Sequence, residues 1–170
     1  GNTQVTAGTL SLANTSALAG STLLRDATDT GALAYDAAAA TTYNLGGLSG
    51  DGTLDAGGKT LSIGGNNQST AFSGSLGNGA LTKSGTGTLT LSGASTYTGA
   101  TLVSAGSLLV NGSLGNTAVT VDPLATIGGT GAIQGTVFDP SGAVVAGASV
   151  VATNLATGVE AKRATNAAGL

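Results

Sequence analysis

The sequence repeats itself at a constant spacing. Residues 60–63 (TLSI) correspond to residues 88–91 (TLTL), Gly57 to Gly85 and Gly65 to Gly93, always with the same 28-residue offset. A second correspondence links residues 5–12 (VTAGTLSL) to residues 103–110 (VSAGSLLV). Self-similarity at a spacing of about 20 to 50 residues is typical of repeat architectures, whose units bury their apolar faces against their neighbours. Antiparallel sandwiches do not impose such a repeat, so we predict a β-solenoid.

The composition supports a folded stack of short strands. The chain has 170 residues, of which 30 are glycine, 8% are charged and 3% are aromatic. Disordered chains combine low hydrophobicity with high net charge, and this chain has neither. Glycine supplies positive φ angles at turns, while inward aliphatic side chains can stack in columns. The residues expected to form these columns are Leu61, Ile63, Leu89, Leu91, Leu108 and Val110.

Alternation of apolar and hydroxyl residues between glycine, asparagine or aspartate predicts strands of about four residues. The predicted strands cover residues 9–12, 21–24, 32–35, 52–54, 60–63, 80–83, 88–91, 100–103, 107–110, 118–121 and 125–127. Residues 36–42 (DAAAATT) are predicted to be a loop or a short strand. The composition changes near Gly135, so we expect a solenoid region at 1–134 and a separate β segment at 135–170.

Residue types exclude several kinds of active site. The chain contains no histidine and no cysteine, which excludes Ser-His-Asp and Cys-His catalysis and the usual zinc sites. Polysaccharide-cleaving β-helices use carboxylates, and Asp51 and Asp55, with Lys59 nearby, could line one face. We interpret the two aspartates as turn residues beside glycines. We therefore predict no catalytic residue, no cofactor and no metal site.

Two polar or glycine-rich segments have simpler structural interpretations. Residues 128–133 (GGTGAI) begin like a calcium-binding roll but lack its aspartate, which favours a solenoid corner. Residues 66–68 (NNQ) could form an amide ladder or turn, or bind a sugar. The ladder or turn is favoured, because Ala94 and Ser95 stand at the equivalent positions of the next repeat. Phe72 and Tyr97 align between the repeats, which predicts a stacked aromatic pair.

The charge pattern limits the partners of the chain. The net charge is −3, and the basic residues are scattered apart from Lys162 and Arg163, so we expect no nucleic-acid partner. No run of 18 apolar residues is present, so we do not expect a transmembrane segment. Gly1 is not an initiator methionine and no leader pattern follows it, which predicts a mature or excised piece of a longer protein.

Residues 79–93 (GALTKSGTGTLTLSG), followed by TYTGAT at 96–101 and GSLLV at 106–110, closely resemble the autotransporter-associated β-strand repeat. The resemblance is strong from Leu48 to about Ile133 and looser over residues 1–47. It implies a right-handed parallel β-helix in the passenger region of an exported protein. It also implies a location outside the cell or at the bacterial outer-membrane surface, where the repeat aids secretion or folding and serves as a stalk.

The remaining residues resemble another family. Residues 133–158 contain the spacing of Gly135, Asp139-Pro140, Gly142 and Gly147 that is similar to the start of a carboxypeptidase regulatory-like domain. That domain is a small β-sandwich, and the sequence stops about half-way through it. Half a sandwich leaves strand edges unpaired, so we expect a sandwich-like appendage that pairs with something, extends the solenoid as a cap or remains mobile.

These observations leave three functional hypotheses. The first is a non-enzymatic structural segment of a bacterial cell-surface or secreted protein, an adhesin spacer or stalk, whose partners are neighbouring domains. The second is a subunit that self-associates end to end into an extracellular filament by stacking or strand donation. The third is a polysaccharide-active enzyme, which would act on surface glycans through Asp51 and Asp55.

Overall fold

The computed structural model describes residues 1–36, 40–131, 143, 146–147, 149–153, 160–164 and 166–167. These residues contain fifteen β-strands and no helix, which confirms the all-β prediction. The chain falls into two compact units, Gly1–Ile133 and Gln134–Leu170. The strands are β1 (Asn2–Gln4), β2 (Thr9–Leu12), β3 (Leu18–Arg25), β4 (Ala32–Tyr35), β5 (Thr42–Gly50), β6 (Thr53–Ile63), β7 (Thr70–Phe72), β8 (Ser75–Lys83), β9 (Thr88–Leu91), β10 (Thr101–Val103), β11 (Ser107–Val110), β12 (Val119–Val121), β13 (Thr126–Gly128), β14 (Ser149–Thr153) and β15 (Glu160–Ala164).

All eleven predicted strands overlap observed strands. β2, β4, β9 and β11 have the predicted bounds, whereas β1, β5, β7, β14 and β15 were not among the predicted strands. β6 and β8 are longer than predicted because each continues through a corner, where the pairing of β6 with β8 shifts register between Asp55 and Lys59. Within the segment at 36–42, residues 37–39 lie outside the described residues and β5 begins at Thr42.

The N-terminal unit is a parallel β-solenoid with three faces. On face one, β1, the C-terminal parts of β3 and β5, β7, β9, β11 and β13 pair in that order. On face two, β2 pairs with β4, the start of β6 pairs with the start of β8, and Ala94 bridges Ser113. On face three, the start of β5, the ends of β6 and β8, then β10 and β12 pair in sequence. The chain visits the faces in this order through about six coils, which confirms the predicted β-solenoid.

The coil is shorter than the sequence repeat. The sequence offset between register partners ranges from 18 residues, as between Thr42 and Thr60 or between Thr101 and Val119, to 27 residues between Leu18 and Leu45. The 28-residue correspondence does not pair strands, because residues 60–63 lie on face three and residues 88–91 lie on face one. The repeated sequence is a turn followed by a strand, and this unit lies on face three in one copy and on face one in the other.

The core consists of the predicted inward columns. All six predicted column residues are buried. Leu61 lies between Tyr43 and Leu81 on face three, and Leu89 pairs with Leu108 on face one. Inward side chains therefore stack from coil to coil along each face.

The C-terminal unit contains one antiparallel pair among its described residues. β14 pairs with β15, with Val151 opposite Lys162. The predicted carboxypeptidase regulatory-like segment depends on residues 133–142 and 154–158, which lie outside the described residues. The sandwich-like appendage therefore stays a prediction.

Candidate functional site

The two candidate carboxylates, Asp51 and Asp55, accept hydrogen bonds from backbone N–H groups of turns. Asp51 Oδ1 accepts the backbone N–H of Ala27 at 2.8 Å, which ties one coil to the preceding one. Asp55 Oδ1 accepts the N–H of Gly57 at 2.6 Å within its own corner. Each side chain satisfies a backbone donor, which is the role of aspartate in turns.

A surface hollow lies beside Asp51. It is lined by Asp26, Ala27, Thr28, Gly50, Asp51, Ala71 and Ser73. Gln4 Nε2 donates to Asp26 Oδ2 at 2.9 Å and to Asp29 Oδ1 at 3.1 Å, so this acidic corner is tied to the first coil. Within the described residues, no cluster of three or more histidine, cysteine or acidic residues is arranged to hold a metal ion.

The asparagines at 66 and 67 join coils in place of forming an amide ladder. Asn66 Nδ2 donates to Thr22 Oγ1 at 3.1 Å, and the N–H of Asn66 donates to the carbonyl of Gly46. Asn67 has a φ of 59° and its Oδ1 accepts the N–H of Thr86 at 3.0 Å. The turn interpretation is correct for this segment, and its polar groups reach coils on both sides.

Two buried cations donate to backbone carbonyl groups. Arg25 lies on face one, where Nη2 donates to Gly31 O at 2.8 Å, Nη1 to Val5 O at 3.3 Å and Nε to Thr53 O at 3.4 Å. Because these carbonyls belong to successive coils, the guanidinium joins the first three coils at one corner.

Lys83 occupies an inward position of face three and is 1% exposed. Its register partners are Ile63 in the preceding coil and Val103 in the following one. Nζ donates to the carbonyl oxygens of Ser84, Gly85 (2.9 Å) and Ala105 (3.2 Å). Burial lowers the pKa of this ammonium, since desolvation disfavours the charged form.

A hydroxyl network crosses the interior of the last coils. The Tyr97 and Thr101 hydroxyls lie 2.8 Å apart, and Thr101 Oγ1 lies 3.1 Å from Thr117 Oγ1. Thr117 Oγ1 donates to the carbonyl of Gly99 at 2.6 Å. Burial raises the pKa of Tyr97 to about 12 even though its hydrogen bond to Thr101 acts in the opposite direction.

The stacked aromatic pair predicted from the repeat is not formed. Phe72 pairs in register with Gly50 and Leu91, whereas Tyr97 lies in the link between Ala94 and β10. The aromatic contact in the described residues joins Tyr35 and Tyr43, whose ring centroids are 5.0 Å apart at 66°. Because residues aligned between the repeats lie at different places around the coil, Phe72 and Tyr97 do not become neighbours.

Sequence reasoning missed Lys83 and Arg25 as structural residues. The signal for Lys83 was present, because residues 81–83 (LTK) alternate and place Leu81 and Lys83 on the same inward side. Most of the polar groups described above bond to backbone atoms or join successive coils.

Comparison with known proteins agrees with this architecture. Residues 81–110 match the passenger-associated transport repeat, and they extend from face three of one coil to face one of the coil after next. An autotransporter adhesin of Brucella suis biovar 1 (strain 1330), adhesin BmaC, is 39% identical over 104 residues. This match covers 55% of the chain and 3% of the adhesin. No solved structure is significantly similar to the chain.

Both matches are to autotransporter sequences, in agreement with the expected location at the bacterial cell surface or outer membrane. Among the described residues, no helix is both long and apolar enough to cross a membrane. The N-terminal unit is thus a β-solenoid in which residues 81–110 match the passenger-associated transport repeat, and the chain is similar in sequence to an autotransporter adhesin.

Proposed function

We propose that this segment is a non-enzymatic stalk or spacer within a larger bacterial surface protein. The observation that carries the proposal is the parallel pairing on face one, which continues from β1 to β13. Each coil adds about 4.8 Å along the axis, so about six coils extend the solenoid by about 29 Å. Length in such a structure grows with the number of coils.

The side chains support a structural role. Asp51 and Asp55 are engaged with turn N–H groups, and the buried cations donate to carbonyl groups in the coil corners. Outward positions on face one carry small hydroxyl residues such as Thr90 and Ser107. A surface of this kind offers few groups for acid and base chemistry.

The proposal is tested by changing the number of coils in the surface protein that contains this segment. Deletion of residues 88–106 removes one coil, because Thr88 and Ser107 are register partners in successive coils and the deletion joins the chain at equivalent points. The matched control deletes residues 88–96, about half a coil, which moves every later strand to the wrong face. Surface display and adhesion are measured for both variants, with antibody to a region beyond the solenoid.

A stalk predicts that the full-coil deletion retains display and adhesion, while the half-coil deletion loses display. Loss of adhesion with retained display in the full-coil deletion would place a ligand site in this segment and contradict the proposal. The purified chain is also screened on a glycan array and for concentration-dependent assembly. Glycan cleavage abolished by Asp51→Ala would favour the enzyme, and growing oligomers would favour the filament.

A further inference from the structure

The inward columns of the solenoid do not by themselves specify one strand register. β8 and β10 pair on face three, with Leu81 opposite Thr101 and Lys83 opposite Val103. If β10 slid by two residues along β8, inward residues would still face inward, because side chains alternate with a period of two. Backbone hydrogen bonds would also reform, since every residue offers the same N–H and C=O groups. A group that distinguishes these registers must have a unique partner.

Lys83 is such a group, because its acceptors are carbonyl groups of two corners and not the repeating carbonyls of a strand. Its neighbours in the column are aliphatic, Ile63 before it and Val103 after it, so a charged residue stands between two apolar ones. A Cβ on Gly64 would lie 3.2 Å from Nζ, so the glycine leaves the space that the ammonium occupies. The side chain is nevertheless satisfied, because three carbonyl oxygens surround Nζ.

The three acceptors come from two coils. Ser84 and Gly85 belong to the corner that follows β8, whereas Ala105 belongs to the corner that follows β10. Sliding β10 by two residues would move the Ala105 carbonyl by about 6.6 Å, beyond hydrogen-bond reach of Nζ. The ammonium would then be buried with an acceptor missing, which is costly for a charged group.

We propose that Lys83 specifies the register between successive coils of the solenoid. Its buried ammonium has all three carbonyl acceptors within reach only in the native register. Buried polar groups have this role in coiled coils, where they select a register at some cost in stability. The proposal does not depend on the role of the segment at the cell surface. It assigns to a lysine of the transport repeat a function in pairing and not in ligand binding.

The test uses the absence of cysteine from the chain. Thr82 and Leu102 are register partners, so a Thr82→Cys/Leu102→Cys pair reports the native register. Thr82→Cys/Ala100→Cys and Thr82→Cys/Ser104→Cys report slips of two residues in either direction. In the native register the Cα atoms of these offset pairs are about 8 Å apart, too far for a disulfide. Each pair is placed in four backgrounds: unchanged, Lys83→Met, Lys83→Arg and Lys59→Met. The chains are refolded from denaturant under oxidation, and the disulfides are quantified by peptide mass spectrometry.

Lys83→Met is expected to fold with little change in melting temperature, because loss of the hydrogen bonds is offset by the release of a buried charge. Its offset disulfides are expected to increase about tenfold over the unchanged background, with a matching loss of the native disulfide. Lys59→Met removes a lysine that lies outside the column and is expected to leave only the native disulfide. Lys83→Arg retains a buried cation with several donors and is expected to retain the native register even if it is less stable.

Three results would overturn the proposal. The first is a Lys83→Met chain that forms only the native disulfide, which would mean that other contacts set the register. The second is a Lys83→Met chain that does not refold, because the ammonium would then supply stability and not register. The third is a rise in offset disulfides in Lys83→Arg equal to that in Lys83→Met.

Discussion

Glycines at the corners of the solenoid meet two separate demands, a positive φ angle and close approach of the next coil. Gly85 meets both, with a φ of 67° and a position where a Cβ would overlap the carbonyl oxygen of Gly64. Gly58 meets only the first, with a φ of 74° and no atom within 4 Å of the place where a Cβ would lie. A substitution at Gly58 therefore introduces backbone strain alone, whereas one at Gly85 introduces both strain and steric overlap.

Gly58→Ala is expected to lower the free energy of unfolding by about 1 kcal/mol, the cost of a left-handed conformation for alanine. Gly85→Ala is expected to cost at least about 2 kcal/mol more, since backbone of the neighbouring coil must move. Urea unfolding of the purified chain measures both values. Equal losses for the two variants would show that the corners of adjacent coils are not in close contact at Gly85.

Tyr97 makes stability depend on alkaline pH. Its pKa is raised to about 12 in the folded state, against about 10 for an exposed tyrosine. Between these values the unfolded chain releases the proton and the folded chain keeps it, so stability falls as pH rises from 10 to 12. The full loss is on the order of 2 to 3 kcal/mol. It is complete above the folded-state pKa.

Tyr97→Phe is expected to reduce this alkaline loss and to lower stability at neutral pH by about 1 kcal/mol, since one buried hydrogen bond is removed. Urea midpoints for both proteins at several pH values between 8 and 12 measure the difference. Because Tyr35 and Lys83 also have shifted pKa values, only the difference between the two proteins reports Tyr97. Parallel stability curves would show that Tyr97 does not ionise on unfolding in this range.

Within a strand, the alternation of side chains between the two sides decides which residues are buried. In β11, Leu108 and Val110 are buried and Leu109 is partly exposed, although residues 108–110 are all apolar. Register explains the difference, because Leu108 lies between Leu89 and Ile127 in an inward column. Composition alone does not distinguish these two leucines.

Leu108→Ala is expected to destabilise the solenoid by about 2 to 5 kcal/mol, because truncation leaves a cavity in the column. Leu109→Ala, the matched control in the same strand, is expected to change stability by less than about 1 kcal/mol. Thermal and urea unfolding compare the two. A larger effect at Leu109 would mean that β11 presents its other side to the core.

The whole solenoid is a one-dimensional array, since each coil contacts mainly the coils before and after it. Strands in the middle, such as β6 and β8, pair along two faces, whereas β1 pairs with β3 alone among the described strands. In arrays of this kind stability is a sum of coil and interface contributions, and the ends have fewer interfaces. In the purified chain of residues 1–170, local opening should therefore begin at the first coil, which has a neighbouring coil on one side.

Amide hydrogen exchange is expected to be slowest in β6 and β8 and to become faster toward β1 and β2 at the N-terminal end. The reason is that opening a terminal coil breaks one interface, whereas opening a central coil breaks two. Exchange followed by mass spectrometry on peptides of the native chain measures this gradient. Equal protection in every strand would instead indicate that the solenoid opens in one cooperative step.

Much of the fold could be predicted from local sequence. The strand positions of β2, β4, β9 and β11 and the burial of residues such as Leu61 and Leu89 follow from alternation between turn residues. β5 was missed because Gly46 and Gly47 interrupt its pattern. A Cβ at Gly46 would lie 2.7 Å from the backbone nitrogen of Ser21, so the preceding coil leaves no room for a side chain there. Because Ser21 is distant in sequence, local alternation does not reveal this contact.

The sequence by itself determined that this chain is a stack of short strands with glycine-rich corners, and that it has no histidine or cysteine chemistry. These properties depend on residue types and on neighbours a few positions apart. Only the tertiary structure decided which strands pair, because the coil that brings Thr88 beside Ser107 is shorter than the visible 28-residue spacing. Similar strand motifs fit face one and face three equally well, so the choice depends on corners and on groups such as Lys83, whose partners meet only after the chain has wound around its axis.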